Sequence, residues 1–219
     1  MEILKTIRIV TGYVAVTYSV PHEADLSILK NLEIIQGNVL LKCDDLRESF
    51  YDAGDKTDVC NILKRSAGYA LSVTGTYLKS LGLVSLQEIH RGSIYVRDNQ
   101  RMCYTKPDMF NDIIQDNATK VISIGKNKEQ DTCVSEGKVC DGQCTSNGCW
   151  GPGNDKCVEC RNYKLEDQCI ERCDTDNGQY MISETDKECG LCHPECRGSC
   201  NGPSLHFIKR VQEYQVMDG

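Results

Sequence analysis

Residues 83–97 read Leu-Val-Ser-Leu-Gln-Glu-Ile-His-Arg-Gly-Ser-Ile-Tyr-Val-Arg, and this stretch decides the fold of the first half of the chain. Leu83, Leu86, Ile89 and Gly92 lead into alternating Ile94 and Val96. Leu29, Leu32, Ile35 and Gly37 carry the same four-point pattern, one residue shorter, and run into Val39 and Leu41. Leu4, Ile7, Val10 and Gly12 carry it 25 residues earlier, before Val14 and Val16. A period near 25 residues with short alternating strands is the signature of a solenoid, in which each turn adds one strand to a growing sheet. Such spacings also occur in other mixed folds, but three copies favour the solenoid. Successive strand side chains point to opposite faces. Val14, Val16, Ile94 and Val96 are therefore expected inside, with Ala15, Thr17, Tyr95 and Arg97 on an exposed sheet face. The recurring glycine is expected where the chain bends between strands.

Between the second and third copies, Cys43 and Cys60 enclose a polar run that includes Asp44, Asp45, Arg47, Glu48, Asp52, Asp55, Lys56 and Asp58. So polar a stretch has little to bury, so a surface excursion pinned by a Cys43–Cys60 bridge is expected. Its acids lack the fixed spacing of a calcium loop.

From residue 133 onward the physics changes. Twelve of the fifteen cysteines lie between 133 and 200, among few apolar residues. A stretch with so little to bury needs cross-links in place of a core. Disulfides in an oxidising compartment are one reading, zinc in a reducing one the other. The uneven gaps, with His193 the only histidine among them, favour disulfides, because zinc sites gather ligands in fours. The net charge of −7 argues against nucleic-acid binding, which requires a basic footprint. No run of eighteen apolar residues suggests a membrane span. The four histidines are scattered and there is no phosphate loop, so no enzyme and no cofactor is expected. Asn117-Ala118-Thr119 is a sequon for N-glycosylation.

Several motifs together resemble one family. Cys140-x3-Cys144-x4-Cys149-Trp150-Gly151-Pro152, then Cys157-x-x-Cys160-Arg161-Asn162-Tyr163, then Cys189-x-x-Cys192-His193-Pro194-Glu195-Cys196 look like the second furin-like region of EGF-receptor (ErbB) family tyrosine kinases. Asn31-Leu32-Glu33-Ile34-Ile35-Gln36-Gly37, Leu81-Gly82-Leu83 and Cys103-Tyr104 resemble the preceding L domain. The resemblance implies a mainly β chain: a right-handed β-helix over 1–132, then a disulfide-stapled cysteine-rich rod over 133–203. Residues 204–219 match nothing in the family.

The resemblance also implies the pairs Cys103–Cys133, Cys140–Cys149, Cys144–Cys157, Cys160–Cys169, Cys173–Cys189 and Cys192–Cys200, leaving Cys196 as a free thiol. It implies that Trp150 wedges into the last turn of the L domain, the alternative being a small local core within the first cysteine-rich module. Growth-factor contacts are implied at Ala15, Thr17, Ser66, Tyr69, Thr74, Tyr95, Lys120 and Ile122. The expected function is an extracellular receptor fragment forming half of a site for an EGF-like growth factor, and weak without the remainder of the receptor. The first L domain, the membrane helix and the kinase have no counterpart in these residues. A structural fragment or soluble decoy is the second reading, and an intracellular zinc protein the third.

Overall fold

The computed structural model describes residues 3–17, 25–42, 68–116, 120–194, 200 and 202–203. Cys43, Cys60, Ser66, Asn117, Cys196 and residues 204–219 lie outside the described residues.

Two parallel sheets organise the first half. One is built from β1 (Ile9–Val10), β3 (Ile34–Ile35) and β5 (Glu88–Ile89), in that order. The other has the order β2 (Val14–Thr17), β4 (Tyr69–Thr74), β6 (Ser93–Arg97) and β7 (Ile122–Gly125). From β1 to β6 the strands alternate between the sheets along the chain, so each of these turns gives one strand to each. The sequence repeat is visible as a repeated backbone hydrogen bond. Ile7 N–H donates to Leu4 O at 3.3 Å, Leu32 N–H to Leu29 O at 2.9 Å, and Leu86 N–H to Leu83 O at 3.0 Å. The same bond recurs from Asn111 to Asp108, at 3.1 Å, and Ile114 then bridges Ile89 in parallel. This marks a fourth turn that the hydrophobic pattern does not announce.

The second turn departs from the sequence reading. Val39 and Leu41 do not supply its long strand: Val39 is exposed, and Leu41 makes an isolated antiparallel bridge to Tyr69. The strand that sits between β2 and β6 is β4, which lies beyond the acidic stretch. Leu41 and Tyr69 are joined at one point of the sheet by reciprocal backbone bonds of 2.9 and 3.0 Å.

Gly37 and Gly92 show why the repeat needs a glycine at the bend. Both have positive φ, 66° and 96°, where a β-carbon is strained. A Cβ on Gly37 would lie 2.3 Å from the Arg91 carbonyl oxygen, and one on Gly92 would lie 3.0 Å from the Ala70 nitrogen.

Between the sheets lies one apolar core that includes Leu32, Ile35, Leu71, Val73, Leu83, Ile89, Ile94, Val96 and Phe110. Val14, Ile94 and Val96 are buried and Val16 packs against the same core, as the alternation indicates. Trp150 joins that core rather than one of its own. Its ring meets Phe110 edge-on, with centroids 5.7 Å apart, and its carbonyl accepts the Gly82 N–H at 2.9 Å.

The described residues part into two compact units, one ending at Glu159 and the other beginning at Cys160. The cysteine composition changes at 132/133, but packing changes at 159/160. Trp150 accounts for the difference, because it carries the first cysteine-rich module into the core of the solenoid. The module's backbone is joined to itself by Thr145 N–H to Glu159 O at 3.0 Å. The second unit is a small sheet ordered β10 (Gln179–Ser183), β11 (Glu188–Leu191), β8 (Tyr163–Leu165) and β9 (Gln168–Ile170).

Six disulfides lie among the described residues: Cys103–Cys133, Cys140–Cys149, Cys144–Cys157, Cys160–Cys169, Cys173–Cys189 and Cys192–Cys200. These are the pairs that the resemblance implies, and they use every cysteine among the described residues. Their sulfurs are bonded to one another, so the zinc reading falls. No helix among the described residues is long and apolar enough to cross a membrane.

Candidate functional site: the outer face of the four-stranded sheet

Strand register sorts the sheet into rows. Val14, Leu71, Ile94 and Ile122 stand side by side, as do Val16, Val73, Val96 and Ile124. These rows face the core. The intervening rows are Ala15, Ser72, Tyr95 and Ser123, then Thr17, Thr74, Arg97 and Gly125. A register shift between Tyr69 and Leu71 turns Tyr69, paired with Ser93, onto this second face. The outer face is thus made of hydroxyls, two tyrosines and one cation.

The residues implied as ligand contacts fall unevenly on it. Ala15 is exposed and Thr17 half-buried, on the edge strand. Tyr69, Thr74 and Tyr95 are on the outer face but buried, Tyr95 to 1 % exposure. The expectation that Tyr95 stands exposed is therefore corrected. Alternation fixes which way a side chain points and not whether it is covered. Here the Tyr69 and Tyr95 rings pack together on the central strands, with centroids 5.1 Å apart. Ile122 is corrected as well: register puts it in a core row, and it packs against the core. Lys120 is half-buried, and its Nζ donates to the Asn111 carbonyl at 2.8 Å.

Burial dominates the electrostatics of this face. It pushes the Tyr69 phenol well above its usual range, the neighbouring Tyr95 adds to the shift, and Arg97 opposes it. Tyr69 OH, Ser72 Oγ and Thr74 Oγ1 are buried without a hydrogen-bond partner. Buried polar atoms are nearly always paired, so three orphans on one strand mark an unusual surface. Arg97 is the one charged side chain in the four strands. Its Nη1 donates to Ser123 Oγ at 3.2 Å, and its guanidinium carbon lies 3.6 Å from where a Gly125 Cβ would sit.

The sequence reading missed what closes this sheet at its C-terminal end. Thr76, Asn99 and Asn127 each follow a strand by two residues and are bonded across turns. Asn99 Oδ1 accepts from Thr76 N–H at 3.0 Å and from Thr76 Oγ1 at 2.7 Å. Asn99 Nδ2 donates to the Val73 and Arg97 carbonyls at 3.0 and 2.9 Å, and lies 3.0 Å from Asn127 Oδ1. Asn127 Nδ2 donates to the Val96 carbonyl at 2.9 Å. The recurrence of asparagine 28 residues apart, just past each strand, was the available signal.

Comparison with known proteins gives this geometry a family. The receptor L domain family matches residues 60–115, and growth factor receptor domain IV matches residues 139–218, so the match runs through residues 204–218, which were expected to match nothing in the family. The chain is 32 % identical over 199 residues to the epidermal growth factor receptor of Apis mellifera, a match covering 91 % of this chain and 13 % of that protein. To the human receptor tyrosine-protein kinase erbB-4 it is 30 % identical, over 93 % of this chain and 14 % of that protein. To the epidermal growth factor receptor of Gallus gallus it is 28 % identical, over 95 % of this chain and 28 % of that protein. The chain therefore spans well under a third of the length of these relatives. The matched stretches are ectodomain-type modules, and no kinase domain lies within these 219 residues. With its stacked parallel strands, its Trp150 bridge and its ladder of disulfides, the chain belongs to the EGF receptor (ErbB) family, as a receptor L domain followed by a furin-like cysteine-rich region.

Proposed function

We propose that the chain works outside the cell as part of a growth-factor receptor, its four-stranded sheet supplying one half of the site for an EGF-like growth factor. The observation that carries this reading is the outer face itself: rows of small and hydroxylated side chains in register, backed by a rigid core, with a reachable edge at Ala15 and Thr17. Six disulfides support the extracellular setting, since such cross-links persist in oxidising compartments. The half-site reading makes affinity depend on the rest of the receptor. A ligand held by two linked surfaces gains about 10²–10⁴-fold over either alone.

The experiment is a binding titration of an EGF-like growth factor against the immobilised chain and against a longer ectodomain containing it. Binding should be weak in the first case and much tighter in the second. Ala15→Arg and Thr17→Arg, on the accessible edge, should reduce both without altering the circular dichroism spectrum. Equal affinity for the two proteins, or indifference to both substitutions, defeats the proposal.

A further inference from the structure

The outer face of the sheet sets one cation beside three buried hydroxyls that have no hydrogen-bond partner. Arg97 stands at its C-terminal end, half-buried, with Ser123 Oγ as its hydrogen-bond partner and no carboxylate paired with it among the described residues. A guanidinium has five N–H donors in a fixed fork that fits a carboxylate. Directly across the strand pair is Thr74, whose Oγ1 is buried and unpartnered. Ser72 Oγ, two residues back, and Tyr69 OH, beyond it, are unpartnered too. All four lie on one face, and no acidic side chain stands in any of the four strands.

We propose that Arg97, backed by the hydroxyls of Thr74, Ser72 and Tyr69, is a receptor for a carboxylate carried by an acidic side chain of the bound growth factor. This rests on the growth-factor reading above and adds to it the residue that selects for charge. The physical case is complementarity. A lone cation at the rim of a neutral, hydroxyl-lined surface is compensated by one anion, and the desolvated surface around it strengthens the pairing. Ser123 orients the guanidinium, which lies alongside the backbone at Gly125. Thr74, paired with Arg97 across the strands, holds the unpartnered hydroxyl nearest to it in register, a donor that an arriving carboxylate can satisfy.

Two measurements separate this inference from the reading beneath it. First, the Arg97 side-chain N–H resonances are followed during titration with glutarate and with its uncharged diamide. Shifts at Arg97 and Thr74 with glutarate alone are expected. No shift at Arg97 overturns the carboxylate site whatever the growth factor does. Second, Arg97→Gln, which keeps a donor for Ser123, is compared with wild type in growth-factor binding, using the growth factor with its carboxylates free or amidated. The substitution should weaken binding about tenfold or more, the range of a close interfacial charge pair. It should make little difference to the amidated growth factor. If the growth factor binds Arg97→Gln as tightly as wild type, the carboxylate role is wrong while the half-site stands. If glutarate shifts Arg97 but no growth factor binds, the anion site stands and the growth-factor reading falls.

Discussion

Asn99 is the residue whose replacement tests the stacked-turn architecture most sharply. Its side chain is fully buried, and it links the turn before it, through Thr76 and Val73, to the turn after it, through Asn127. Asn99→Ala removes the acceptor from the Thr76 N–H and the donor from the Val73 carbonyl. Each buried group so orphaned costs about 1–3 kcal/mol, and relaxation at the strand ends keeps the sum near 3 kcal/mol. Asn99→Asp is the more telling change, because it keeps the shape and the acceptor but replaces the NH2 group with oxygen. That oxygen would face three others: the Val73 and Arg97 carbonyls and Asn127 Oδ1. The ionised form is disfavoured there, so the folded-state pKa rises above the unfolded value of about 3.9. Below that value the acid is protonated in both states and can donate to one of the carbonyls, so the penalty is smallest. As pH rises above it, the penalty grows by about 1.4 kcal/mol per unit until the folded-state pKa is reached. Urea unfolding of disulfide-intact protein, followed by the fluorescence of the single buried Trp150, reads both effects. The reasoning is refuted if Asn99→Ala is within about 0.5 kcal/mol of wild type, the range of ordinary surface changes. It is refuted equally if the gap between Asn99→Asp and wild type does not widen with pH.

Trp150→Ala should cost about 3–5 kcal/mol, as for other buried aromatics. Limited proteolysis should then cut between the solenoid and the first cysteine-rich module, whereas the alternative of a local core leaves the solenoid's own unfolding midpoint unchanged. Gly37→Ala places a Cβ against the Arg91 carbonyl at positive φ, and thermal unfolding should show a loss of more than about 1 kcal/mol. Glu136, held by Lys128 at 2.6 Å and also by Lys138, has its pKa lowered to about 2, chiefly by those two hydrogen bonds. A depressed carboxylate contributes stability above its unfolded pKa and loses it as pH falls through the folded one. The contribution should therefore fade between about pH 4.3 and 2. Carbon-detected NMR should show that midpoint rise in Lys128→Ala and Lys138→Ala. Non-reducing peptide mapping should recover the six described disulfides, and Cys173→Ser should loosen the second unit while leaving Trp150 fluorescence unchanged.

The repeat was legible where leucine and isoleucine occupied its fixed positions. Leu4, Leu29 and Leu83 open three turns, and each closes the same backbone bond. The fourth turn was hidden because Asp108 and Asn111 stand where the others have leucine or isoleucine, and Met109, Phe110 and Ile113 fill the core from neighbouring positions. The second turn was misplaced for a related reason. Val39 and Leu41 continue the pattern locally, but the partner strand at 69–74 lies beyond an insertion that the pattern cannot cross. At the site, the register of Ala15, Tyr95 and Arg97 followed from alternation alone. Burial of Tyr69 and Tyr95 did not, because it depends on what packs around a ring and not on which way the strand points it. Ile122 came from the resemblance alone, whereas the alternation Ile122-Ser123-Ile124 in its own strand points it toward the core.

The paired Leu41–Tyr69 bonds have a consequence for how receptors of this kind diversify. They act as a clasp that joins two residues 28 apart in sequence, and lengthening a connection whose ends are already joined is cheap: doubling it adds only about 0.6 kcal/mol of closure entropy. The register of β4 against its neighbours is set elsewhere, by the Leu71-to-Thr74 ladder. Length and composition on the far side of the clasp can therefore drift with little effect on the sheet, giving a lineage a place to acquire new surface without rebuilding its scaffold.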